Sequence, residues 1–169
     1  IQNLLDRPSK YDPVFKSFQK TFEDESGYAL NRLNSDRIRI RNLAKKRFIL
    51  GYPPRKKTDN SIGDAIYWEW IVDCAIRSKK DIVIVTRDTN FGITYGSESF
   101  VNDWLMQEFK ERVSKRRKLV LTQKLSKAFQ LVEIPVTEAM VKEEEAIIQY
   151  INQRYRIKHQ RGGVVGSRG

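Results

Sequence analysis

Three features of the sequence predict an α/β fold with a parallel sheet flanked by helices, helix-rich over the chain as a whole. The stretch Asp81–Val85 carries a continuous, mostly β-branched apolar run, Ile82 to Val85, as a buried strand requires. A second short apolar run, "KLVLT", follows an amphipathic stretch, and strand–helix–strand at that spacing predicts a parallel crossover. Before both, Ala65 to Ile76 is apolar at nearly every position except Glu69 and Asp73, the pattern of a helix buried on most faces.

The elements follow in order. The first region, to about Leu50, reads as helix: Val14, Phe15, Phe18 and Phe22 have helical spacing. "NSDRIRIRNLAKKRFILG" is expected to be one helix, capped by Asn34 or Ser35 and ended by Gly51, with Ile40, Leu43, Phe48 and Leu50 as its apolar stripe. The local "RIRIR" alternation suggests a strand, but the pattern runs on into "NLAKKRF". "GYPPRKKTDN" is a loop, marked by Gly51 and two prolines. Ser61 and Asp64 have the spacing of a capping box at the start of the apolar helix. "SESFVNDWLMQEFKERVSKRR" reads as an amphipathic helix with Phe100, Trp104, Leu105 and Phe109 on one face. "QKLSKAFQLV" is a short helix, and Thr137 opens a last one through Lys158. The end of the chain, residues 158–169, is Gly-rich and basic and is expected to be a flexible tail, with His159 solvated.

The chain is strongly basic, with a formal net charge of +11, and this points to a polyanionic partner, most plausibly nucleic acid. The bland alternative is that the lysines serve solubility. Cys74 is the one cysteine, so no internal disulfide can form; it is expected as a small buried hydrophobe. No apolar run approaches the length of a membrane span, and no membrane partner is expected. A cytoplasmic setting fits that reading. Metal-finger, P-loop and dinucleotide spacings are absent.

The chemistry is expected where the first strand ends. Sites in open α/β sheets form at the carboxyl ends of parallel strands, and "TRDTN" places Asp88 there. Asp64 stands at the start of the preceding helix. Antiparallel travel of that helix and the strand is expected to bring the two carboxylates to one sheet edge. Like charges held close need a cation between them, and Mg²⁺ or Mn²⁺ is the usual one. The competing reading is structural: Asp after a strand commonly bonds nearby backbone amides in a turn, and Asp64 then does no more than favour a helix start.

"SIGDAIYWEWI" followed by "DIVIVTRDTNF" resembles the second half of a PIN domain, of the bacterial PIN-like branch. "RFILGYPPRKK" and "KLVLTQKLSKAFQLV" add to the resemblance, which covers about Leu33 to Val132. It implies a PIN-like three-layer fold and a metal-dependent nuclease, a ribonuclease before a deoxyribonuclease, acting as a toxin or antiviral effector. Asp64 and Asp88 match metal-holding acids, Asn90 a position that helps hold the site, and Thr86 a supporting hydroxyl. Arg55, Lys56, Lys57 and Arg87 are the basic residues expected at the phosphodiester backbone. RNA is the expected partner, with a protein partner or self-association left open.

The departure from the family pattern lies at the front. Nothing before Asp64 reads as an apolar strand ending in an acid; Asp6 and the Glu23–Glu25 run do not match it, and Asp59 and Asn60 offer outer oxygens at most. Residues 1–157 are therefore read as the C-terminal portion of such a domain without its first strand. The Ile1 start favours a longer parent chain carrying the rest. The alternative is a degenerate, non-cutting module that binds nucleic acid or protein. A phosphatase-type site ranks last, since "DTN" supplies no nucleophile followed by a second Asp.

Overall fold

In a computed structural model the chain is described at residues 28, 30, 34–55, 61–96 and 98–162, with side chains as far as 154. The expected helix around Phe15–Phe22 lies outside these residues. Contacts divide the chain into two compact units, Ile1–Ser78 and Lys79–Gly169.

The first unit contains two described helices, α1 (Asp36–Ile49) and α2 (Gly63–Ser78). The "RIRIR" stretch is helical, as its continuation implied. The Asn34 side chain accepts the Asp36 N–H at 2.8 Å, so Asn34 supplies the cap. At the other end Gly51 has φ +75°, and the Gly51 and Tyr52 amides donate to the Phe48 and Arg47 carbonyls. That is a Schellman ending, and it needs a residue that tolerates the left-handed region.

The stripe that α1 buries differs from the expected one. Ile40, Ala44 and Arg47 face inward, while Leu43 and Leu50 are exposed. The reason is the partner helix. On α2 the inward residues are Ala65, Trp68, Glu69, Val72, Asp73 and Ala75, so the two interrupting acids lie on the core side. Each meets an arginine of α1. Arg47 Nε stands 2.8 Å from Glu69 Oε1, with both side chains almost fully buried, and Arg39 donates to Asp73 Oδ1. Arg47 also donates to the Pro53 carbonyl, tying the loop after α1 to the same pair. Asp73 Oδ2 is buried without a well-directed hydrogen bond, yet Arg77 Nε lies 2.8 Å away and compensates its charge. The helix expected to be buried on most faces leaves Tyr67 and Ile76 projecting outward, and Cys74, expected as a buried hydrophobe, is half-buried.

The second unit holds the sheet. Strand β1 (Ile82–Val85) pairs in parallel with β4 (Leu119–Thr122), Ile82 opposite Leu119 and Val85 opposite Thr122. The parallel crossover is as predicted, but its content is not. Between the strands lie an antiparallel hairpin, β2 (Gly92–Tyr95) with β3 (Glu98–Val101), and then α3 (Asp103–Arg112). Phe100 is therefore a strand residue, and of the expected helix face only Leu105 and Phe109 are buried; Trp104 is exposed. The Asn102 side chain accepts the Trp104 N–H and starts the helix four residues beyond Glu98. Gly96, directly after β2, has φ +60°, a conformation that glycine adopts without steric cost. Gly92 is required sterically: a Cβ there would stand 2.0 Å from the Phe100 carbonyl oxygen.

Helices α4 (Leu125–Leu131) and α5 (Glu138–Gly162) follow, with Thr137 Oγ1 accepting the Met140 N–H at the start of α5. α5 continues to Gly162, so the segment expected as a tail from residue 158 begins as helix; residues 163–169 lie outside the description. α5 is fixed to α4 by Glu144. Its carboxylate accepts the Leu125 and Ser126 N–H groups and the Ser126 hydroxyl, and Lys124 pairs with Glu145 at 2.6 Å. The α/β expectation holds: among the described residues there are five helices and a small parallel sheet. The core of this unit is Ile84, Phe91, Leu105, Phe109, Leu119, Leu121 and Ala128, from β1, β4, the turn after β1, α3 and α4.

Candidate functional site

The carboxyl end of β1 is a nested turn. The ladder to β4 continues one residue past the strand, with Thr86 N donating to Thr122 O at 2.9 Å. The chain then turns sharply. The Thr86 hydroxyl accepts the Asp88 N–H at 3.0 Å, and Asp88 Oδ1 accepts the Asn90 N–H at 2.9 Å. The Phe91 N–H closes the turn on the Asp88 carbonyl. Both are the short side-chain-to-backbone turns that Thr and Asp favour. Phe91 is buried and anchors the far side, and its carbonyl takes the Asn102 N–H, which locks the turn to the start of α3. Thr86, Asp88 and Asn90 are thus brought together, with the half-buried Asp88 fixed by both neighbours.

Part of the structural reading of Asp88 is therefore correct: one carboxylate oxygen holds the turn. That arrangement also presets the side chain. A carboxylate held by its own loop loses less rotamer freedom on taking a ligand than a mobile one.

Arg87 points away from this turn. Its guanidinium donates to Asn152 Oδ1 of α5 at 2.5 Å. Beside it a groove of about 470 Å³ runs between α4 and α5, lined by Leu125, Phe129, Ile147 and Ile151. Sequence reasoning missed Asn152 and Glu144 as neighbours of the strand ends. Nothing local signals either, because each contact spans a long stretch of chain.

In the first unit Asp64 is half-buried in the first turn of α2, where the exposed backbone amides favour negative charge. The Ser61 hydroxyl accepts the Gly63 N–H at 3.2 Å and caps that start. Arg55 is exposed and lies over the Phe48 ring, 4.7 Å from its centroid. Lys56, Lys57, Asp59 and Asn60 lie outside the described residues. Glu69, five residues beyond Asp64 and so on a different face of the helix, is committed to Arg47.

In comparison with protein families, the model described as PIN domain aligns with residues 1–91. The chain belongs to the PIN domain family. PIN domains are generally nucleases and typically use divalent metals. The PIN match takes in Asp64, Thr86, Arg87, Asp88 and Asn90 and ends on Phe91, the last residue of the turn. It begins at residue 1, ahead of the Leu33 at which motif resemblance began, and stops short of Val132. Neither curated proteins nor solved structures return a match.

The oxygen donors of Asp64, Asp88 and Asn90 fit a hard divalent cation in kind. Among the described residues, no group of three or more His, Cys, Asp or Glu is placed to hold a metal. No described helix is long and apolar enough to cross a membrane.

Proposed function

We propose that this PIN domain chain is a metal-dependent ribonuclease that hydrolyses phosphodiester bonds with Asp64 and Asp88 as ligands of Mg²⁺ or Mn²⁺. The observation that carries this reading is the coincidence of the family match with the turn: the match closes on the segment that fixes Asp88 at a strand's carboxyl end. When bound, the cation supplies Lewis acidity toward the phosphate and water. The chain's own residues do the rest. Thr86 and Asn90 hold Asp88 in place through backbone bonds. Arg55, Lys56, Lys57 and Arg87 meet the phosphodiester backbone, where cations offset its charge. For Arg87 this requires exchange of its Asn152 contact for a phosphate. RNA is favoured over DNA by the resemblance to the bacterial PIN-like branch.

The test compares the parent chain with Asp88→Asn on single-stranded RNA and DNA, each with Mg²⁺, Mn²⁺ or EDTA. Asparagine keeps an oxygen for the Asn90 N–H but loses the charge, so the turn survives. Cutting that needs metal, and falls by about 10²-fold or more in the variant, is expected. Undiminished cutting by Asp88→Asn overturns the assignment of that acid. Binding without cutting by either protein leaves the second reading, an inactive binding module, which the lack of a three-acid group among the described residues favours.

A further inference from the structure

The parallel register has a second consequence, at the other end of the strands. β1 and β4 start side by side, Ile82 opposite Leu119, so the segments that enter them are neighbours. Those segments are Lys79-Lys80-Asp81 and Lys115-Arg116-Arg117-Lys118. Paired strands lie about 5 Å apart, so the two basic runs form one patch at the amino-terminal edge of the sheet. Asp88 lies at the opposite edge of the same strands.

The patch is held in shape. After α3 the Ser114 N–H donates to the Phe109 carbonyl, and the Ser114 hydroxyl accepts the Arg116 N–H at 3.1 Å. At the strand, the Lys118 N–H donates to Asp81 Oδ1 at 3.0 Å, and the Ile82 N–H to the Lys118 carbonyl at 2.9 Å. The single acid of the patch is thus used to fix the backbone of the basic loop. All six cations are exposed, and Lys115, Arg116, Arg117 and Lys118 form no ion pair among the described residues. Four consecutive exposed cations on a loop of fixed backbone hold a concentrated positive potential, which draws a polyanion.

We propose that this edge is a second nucleic-acid surface, which grips the phosphodiester backbone of RNA away from the Asp88 turn. A chain of phosphates matches it better than a single anion, because the cations are spread along two neighbouring segments rather than converging on a point. The proposal concerns binding and stands whether or not the chain cuts.

The experiment measures binding of a labelled single-stranded RNA by fluorescence anisotropy. It uses the Asp88→Asn chain in EDTA, so that no cleavage intrudes, over a range of salt. The variant is Lys115→Ala/Arg116→Ala/Arg117→Ala, with an unchanged melting temperature as the control for folding. If three phosphate contacts are lost, the slope of log affinity against log salt falls by about 2. Affinity at low salt should fall about tenfold or more. An equal affinity and slope in the variant overturns the proposal. So does tighter binding of the parent to phosphatidylserine vesicles than to RNA, which would assign the patch to a membrane surface.

Discussion

Replacing Glu69 by alanine should unfold the first unit at a much lower denaturant concentration, and the size of the effect follows from burial. The side chains of Arg47 and Glu69 are 6% and 3% exposed, so water cannot hydrate the guanidinium once the carboxylate is gone. Removing one partner of such a pair typically costs about 3–5 kcal/mol. Loss of the Glu69 methylene adds about 0.8 kcal/mol, while the retained bond from Arg47 to the Pro53 carbonyl offsets part of the loss. An expected cost of about 3 kcal/mol corresponds to a fall in urea midpoint of roughly 1–3 M. The three tryptophans make the measurement specific. Trp68 and Trp70 both lie on α2, and the third, Trp104, is exposed on α3. In a Trp104→Phe background, fluorescence therefore reports the first unit alone. The double variant Arg47→Met/Glu69→Leu should recover most of the loss, since it leaves neither charge of this pair buried. A midpoint shift below about 0.3 M for Glu69→Ala would refute the reasoning. A double variant no better than the single would do the same.

Two further outcomes concern the second unit. Gly92→Ala should lower its melting temperature by roughly 4 °C or more, because the new Cβ meets the Phe100 carbonyl oxygen, which cannot swing aside, and overpacking of this kind costs about 1–3 kcal/mol. Glu144 predicts a pH dependence of the α4–α5 contact. Burial alone pushes its carboxyl up, but the bonds from the Ser126 hydroxyl and the Leu125 and Ser126 amides, with Lys124 nearby, outweigh this and hold it below the ordinary carboxylate range. A depressed carboxyl stabilises the fold above its unfolded value, about 4.3, and that contribution is lost as pH falls through the folded value. Hydrogen exchange at the Leu125 and Ser126 amides should therefore gain protection between acid and neutral pH, and Glu144→Gln should flatten the change.

The elements legible in the sequence were those whose signal is local. Ile82–Val85 and Leu119–Thr122 announce themselves by composition, α2 by its length of apolar residues, and the end of α1 by Gly51. The hairpin β2–β3 is hidden in the sequence because Phe100 has helical spacing to Trp104, which suggests that the following helix starts early. The Gly-Ser pair between alternating residues was the signal that favours a hairpin. The buried stripe of α1 is hidden for a different reason. Arg47 counts as polar in any periodicity, yet its partner Glu69, 22 residues away, makes it core. Of the candidate site, the turn around Asp88 was readable, since Thr, Asp and Asn act there on their own backbone. The contact from Arg87 to Asn152 was not, because it spans 65 residues.

The two readings of Asp88, turn residue and ligand, are compatible, and a pair of substitutions separates their contributions. Asp88→Ala removes the acceptor for the Asn90 N–H, so it should cost about 1 kcal/mol of stability as well as cleavage. Asp88→Asn keeps the acceptor and should lose cleavage at little cost in stability. If charge at this position served the turn alone, Asn would behave as the parent in both assays, for a neutral amide oxygen accepts that bond adequately. If the carboxylate served the cation alone, Ala and Asn would be equally stable. Only the dual role makes Ala less stable than Asn and both inactive. Under that outcome, and only then, Asp88 follows the strand for two reasons: one of its oxygens shapes the turn, and its charge serves a cation.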